Sequence, residues 1–141
     1  MATYNKYEIF VQHMWDKVHD LFGTTDTAKC ALTNTAPNLA TNAVLADITE
    51  ISAGNGYTAG GADSQNDSTR SGGTVTLTGV DIVWTASGGS IGPFRYTVFY
   101  NDTPTSPADP LIAEWDYGSA VTLATGETFT VDFGANIHTV S

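Results

Sequence analysis

The chain has 141 residues, 41% of them hydrophobic, and carries five lysines and arginines against fifteen aspartates and glutamates for a formal net charge of −10. That length predicts a single domain, 1–141, with one core, and a lone cysteine, Cys30, excludes an intrachain disulfide framework and any Cys/His zinc spacing. From residue 30 onward Arg70 and Arg95 stand against eleven carboxylates, a balance that repels phosphate backbones and excludes nucleic acid as a partner.

The opening, MATYNKYEIFVQ, lacks a basic region followed by an apolar run, and no stretch approaches the roughly 18 apolar residues of a membrane span. The expectation is no export, no membrane association and assembly in a cytoplasm. Asn5 with Glu8 three residues on reads as a capping box, and Gly23 reads as a C′ stop, so 5–22 is predicted as one N-terminal amphipathic helix. Tyr7, Phe10, Val11, Met14, Trp15, Val18, Leu21 and Phe22 recur at three- and four-residue spacing as its apolar face, opposite Glu8, Gln12, Asp16, Lys17, His19 and Asp20. Covering the open side of a sheet ranks above a helical seam between copies, because a seam needs a strict heptad over more turns.

From residue 28 the texture changes to short runs rich in Thr, Val and aromatics, bounded by Gly, Pro, Asn, Asp and Ser. KCALTN, VLADITEI, TVTLTGVDIVWTAS, FRYTVFYND, LIAEWDYG, SAVTLATGETFTVDF and ANIHTVS each read as strand. TVTLT places Val75 and Leu77 on one face, and Phe129, Val131 and Phe133 lie opposite Thr128, Thr130 and Asp132, the alternation of a half-buried antiparallel sheet. The chain is therefore predicted to be mainly β: an antiparallel, jelly-roll-like β-sandwich of about seven strands over 28–141, with a Gly-rich loop at 52–73.

Several motifs tempt. Gly54, Gly56 and Ala59 spell G-x-G-x-x-A, but no helix begins after them, so no helix N-terminus is offered to a pyrophosphate. Gly88–Gly92 spells the G-x-S-x-G of a nucleophile elbow, yet Pro93 and a strand follow, so Ser90 sits in a turn between strands. Asp63, Gln65 and Asp67 have the first EF-hand spacings, but Ser68 stands where the glycine belongs and Thr74 where the bidentate glutamate belongs. His13, His19 and His138 share no metal spacing, and His13 and His19 fall on the solvent side of the helix. Glu114 and Asp116 flank Trp115 as paired acids beside an aromatic sugar platform do, although alternate exposed acids are common on strands. Arg95, the only lysine or arginine after Arg70, is read first as a structural ion pair and second as a subunit contact. No catalytic residue, metal or cofactor is expected.

ALTNTAP (31–37), ADITEISAGNGYTAGG (46–61), TASGGSIGPFRYTVFYNDT (85–103), EWDYG (114–118) and LATGETFTVDF (123–133), with the opening TYNKYEIFVQHMWDKVHDL, resemble a family of small virion proteins of tailed bacteriophages. Some members of that family look like head decoration, or cement, proteins, and others are labelled tail or fibre components. The resemblance implies a structural protein on the outer surface of the virion head, bound to the major capsid protein and to copies of itself as a dimer or trimer. The alternative it leaves open is a tail, neck or fibre component that binds a receptor or glycan, with Trp115 and Tyr117 the first suspects. Tyr7, Phe10, Met14 and Trp15 of the helix, Gly54, Asn55, Gly56 and Tyr57 of the glycine loop, and Arg95 are the interface candidates.

Overall fold

Strands form where β-branched and aromatic residues run together, and they gather around the two longest such runs. The computed structural model describes residues 2–141. In chain order the elements are β1 (Thr3–Lys6), α1 (Glu8–Trp15), β2 (Ala28–Thr33), β3 (Ala62–Asp63), β4 (Asp67–Ser71), β5 (Thr74–Thr78), β6 (Ile82–Thr85), β7 (Ile91–Asn101), β8 (Leu111–Leu123), β9 (Thr128–Val131) and β10 (His138–Val140). β7 and β8 form an antiparallel hairpin at the centre of a five-stranded sheet ordered β1-β8-β7-β2-β3. The facing layer is split into a three-stranded sheet, β10-β5-β4, and a two-stranded one, β6-β9. The fold is thus a mainly β, antiparallel sandwich with one short helix.

The core between the layers is aromatic. Phe94 meets Phe129 edge-on at 4.8 Å between ring centroids, Trp115 lies 5.8 Å from Phe133, and Tyr57 lies 5.9 Å from Trp84. Cys30 is fully buried there, and burial pushes its thiol pKa up, so it is an inert core side chain. The opposite face of the large sheet is also buried: Ala31, Val98, Tyr100 and Leu111 pack with Tyr7 beneath Leu39, Leu45 and Ile48. VLADITEI, read as strand, is this cover. A 3-10 turn over Leu45–Asp47 and single bridges from Val44 to Pro110 and from Glu50 to Thr33 strap it across the sheet.

The helix is the main correction. Asn5 is not a cap but a strand residue, opposite Glu114 and donating to its Oε1 at 2.8 Å. The amides of Tyr7 and Glu8 donate instead to the carbonyls of Ile112 and Leu39, so tertiary contacts satisfy the helix start. The helix ends at Trp15, not Phe22. Lys17 adopts φ +58° and the Val18 amide reaches back to the His13 carbonyl, a Schellman stop built on a non-glycine residue.

The glycine loop is also more ordered than its composition suggests. Gly54 and Tyr57 exchange backbone hydrogen bonds across Asn55 and Gly56, both at positive φ, the requirement of a type I′ turn. Residues 67–71, which fall in the predicted Gly-rich loop, are strand β4 paired with β5. Gly61 has φ +76°, and a Cβ there would stand 1.7 Å from the Cys30 carbonyl oxygen. Gly61→Ala is therefore expected to destabilise by about 3 kcal/mol or more, because it combines a forced φ with a backbone clash. Gly72→Ala, at φ +57° with nothing within 4 Å, should cost only about 1 kcal/mol. Urea unfolding of the two variants checks this, and equal losses would contradict the close-approach role of Gly61.

Candidate functional site

Because α1 spans only two turns and lies at the rim of the sandwich, its apolar face divides. Phe10 and His13, three residues apart, turn inward and are buried, whereas Val11, Met14 and Trp15 turn out, Trp15 being 86% exposed. The segment after the helix folds back beside it and leaves Phe22 57% exposed. Between Met14, Leu21 and Phe22 on one side and Leu77 and Val140 on the other runs an apolar groove of about 180 Å³. An adjoining hollow of about 450 Å³ shares Phe10, Met14 and Val140 and extends to Trp15 and Lys6. Large side chains exposed together at one rim form a surface suited to a protein partner. Burying Trp15 alone would contribute on the order of 4 kcal/mol before the costs of association.

The interface candidates accordingly separate. Met14 and Trp15 lie on this surface. Tyr7, Phe10 and Tyr57 are buried within the chain and are not free for a contact. The Tyr57 hydroxyl accepts from the Leu32 amide and donates to Glu50, which places the ring as the anchor of the glycine loop. Gly54, Asn55 and Gly56 form the exposed turn above it, and the Asn55 amide donates to the Ser90 carbonyl, tying that turn to the loop before β7. Ser90 is exposed and Ile91 begins a strand, so no helix N-terminus stands behind it. Phe22 and Val140 belong to the surface although the sequence reading gave them no such part. Phe22 had been assigned to a covered helix face, and Val140 becomes its neighbour only through the pairing of β10 with β5.

Arg95 makes a bidentate ion pair with Asp116, Nε to Oδ1 at 2.7 Å and Nη2 to Oδ2 at 2.8 Å, and its guanidinium lies 5.2 Å from the Tyr96 ring centroid. Its first reading, a structural ion pair, is the observed one. The pair closes an irregularity in the central hairpin: Tyr96 is opposite Asp116 but Phe94 is opposite Val121, so Tyr117–Ala120 bulge out against Arg95 alone. The Gly118 amide donates to Asp116 Oδ1 within that bulge. Glu114 is not an exposed strand acid. It is buried against Asn5, and burial raises its pKa. Strand alternation puts Glu114 and Asp116 on the face opposite Trp115, so neither can flank a sugar stacked on that ring.

The histidines are likewise not where the helical reading put them. His13 is buried, and His19 lies edge-on to Phe10 at 5.2 Å with its Nδ1 accepting from the Asn101 amide at 3.2 Å. Asn101 also donates to Asp26, and His138 sits 3.1 Å from the Tyr4 hydroxyl. No group of three His, Cys, Asp or Glu side chains is placed to hold a metal ion among the described residues, and no helix there is long and apolar enough to cross a membrane. Compared with family models, curated proteins and solved structures, the chain finds no match.

Burial, with His13 nearby, lowers the His19 pKa to about 4, against an opposing pull from Asp26. The unfolded chain, with His19 near pKa 6.5, binds a proton between pH 6.5 and 4 that the folded chain refuses, so stability falls as pH drops through that window. Burial lowers His13 and His138 too, in the same sense. His19→Gln is expected to flatten the decline by about 2 kcal/mol between neutral pH and pH 4.5, read from urea midpoints at each pH. Parallel curves for the two proteins would contradict this assignment.

Proposed function

We propose that this chain is a structural protein of a tailed-bacteriophage virion that decorates the outer surface of the head and bridges neighbouring major capsid subunits. The observation that carries the reading is the apolar rim of Met14, Trp15, Phe22 and Val140, exposed on a chain whose remaining surface is strongly acidic. The resemblance of the chain to small virion proteins supplies the partner, and the acidity suits a part that faces away from packaged DNA. Decoration works by added interfaces: internal pressure must break them before the shell opens, and repetition on a symmetric lattice multiplies modest contacts into durable attachment. Copies of the chain would meet around the symmetry positions of the shell. The role is mechanical rather than catalytic, with assembly in the host cytoplasm.

A tail, neck or fibre role is the second reading, favoured by the exposed Tyr117 beside Trp115. The test adds purified protein to heads made without it. Binding in large, symmetry-fixed number and restored heat resistance support decoration; heads already as resistant as wild type, with the protein only in tails, overturn it. Trp15→Ala should leave folding stability within about 0.5 kcal/mol yet weaken head binding at least tenfold, because the ring is exposed in the free chain. Phe10→Ala should instead cost about 3 to 5 kcal/mol of stability. Sedimentation with empty heads and circular dichroism separate the two effects. Full head binding by Trp15→Ala would remove the rim from the attachment surface.

A further inference from the structure

The split in the second layer leaves a gap. β6-β9 and β10-β5-β4 are not hydrogen-bonded to each other, and between β9 and the segment leading to β10 the large sheet is open to solvent. The resulting groove has a volume of about 490 Å³, within the roughly 300–1,000 Å³ of small-molecule sites. Its floor is Tyr4 and Trp115, edge-to-face at 5.5 Å between centroids. Its lip is Tyr117, 51% exposed, with the half-buried Phe129 ring 5.6 Å away. The bulge clamped by Arg95 and Asp116 is what carries Tyr117 out to that lip.

Polar groups line the groove as well. Asp132 accepts from the Gly134 amide through Oδ1, which leaves Oδ2 for a ligand hydroxyl, and the exposed Asn136 offers both a donor and an acceptor. No lysine, arginine or histidine lines the groove among the described residues, and the chain carries a net charge of −10, so a phosphate, sulfate or carboxylate ligand would be repelled unpaired. A wholly apolar ligand would forgo the hydrogen bonds that Asp132 Oδ2 and the Asn136 amide offer.

We propose that this groove binds a neutral saccharide, one or two rings long, with its C–H face on Trp115 and Tyr117 and its hydroxyl edge toward Asp132 and Asn136. A sugar ring has that same division, apolar on a face and hydroxylated around the edge, and each half of the groove meets the corresponding half of the ligand. The site does not use the apolar rim at Trp15, so head attachment and sugar binding are separable, and a chain fixed to a shell by the rim could hold this groove free for a host or environmental glycan.

The test is a titration of the protein with cellobiose, maltose, lactose and di-N-acetylchitobiose, each to about 10 mM, a range that reads dissociation constants down to the weak, millimolar end. It is followed by amide and indole NMR, which resolves Trp115 from Trp15 and Trp84. At least one of these sugars is expected to shift the Trp115 indole and the amides of 129–136 in a saturable way. Tyr117→Ala, an exposed position that leaves the core intact, should weaken that binding at least tenfold with an unchanged spectrum elsewhere. A sulfated form of the bound sugar should bind more weakly. No saturable shift at Trp115 with any of the four sugars, undiminished binding by Tyr117→Ala, or tighter binding of the sulfated sugar would each overturn the proposal. Retained sugar binding by Trp15→Ala, expected here, keeps this result independent of the attachment reading.

Discussion

The pairing of β7 with β8 is the constraint on which the rest of the molecule depends. The large sheet is built outward from this hairpin: β1 on the outer edge of β8 and β2 on the outer edge of β7, the latter through six consecutive residue pairs from Ala28 opposite Asn101 to Thr33 opposite Tyr96, with β3 added on β2. Both faces of the hairpin are used. Phe94 and Phe99 face the second layer, whereas Val98, Tyr100 and Leu111 face the strap of residues 39–48. Where the hairpin is buried on both sides, over TVFYN and LIAE, apolar residues stand at consecutive positions rather than in alternation. The same pairing sets the surfaces that matter, since its register shift creates the Tyr117 bulge and its edge places β1 where the helix must begin at the sheet rim.

The strands were legible because their chemistry is local. Val75 with Leu77 and Phe129 with Val131 share a face in the fold as the period-two pattern requires, and the β-sandwich follows from several such runs. The helix was legible in kind but not in length. Its stop depends on Lys17 taking a left-handed conformation, which a residue with a Cβ adopts only when the surrounding structure enforces it. His19 could not be placed as half-buried beside Phe10 without knowing that the segment after the helix folds back over that ring. VLADITEI failed as a strand for a related reason: its apolar residues cover a sheet face as a strap, and sequence pattern alone does not distinguish a cover from a member of the sheet.

The candidate sites show the same division between local and long-range information. Exposure of Trp15 was hidden by a helical periodicity that grouped it with Phe10, although a two-turn helix at a rim can bury only a narrow stripe. Trp115 and Tyr117 could be named from the sequence, but their polar partners could not. The adjacent acids Glu114 and Asp116 lie on the wrong face, one buried against Asn5 and one held by Arg95, while Asp132 reaches the groove from another strand's end. What the chain places in solvent is thus divided between an apolar rim suited to holding a large partner and an aromatic groove suited to a small one.

A density map of the intact particle, at a resolution that shows side chains, decides where the chain sits. Copies are expected at symmetry-fixed positions on the outer surface of the head, with Trp15 and Phe22 buried against capsid subunits and the groove over Trp115 open to solvent. Copies confined to the tail, or head-bound copies with the Trp15 rim facing solvent, would contradict that placement.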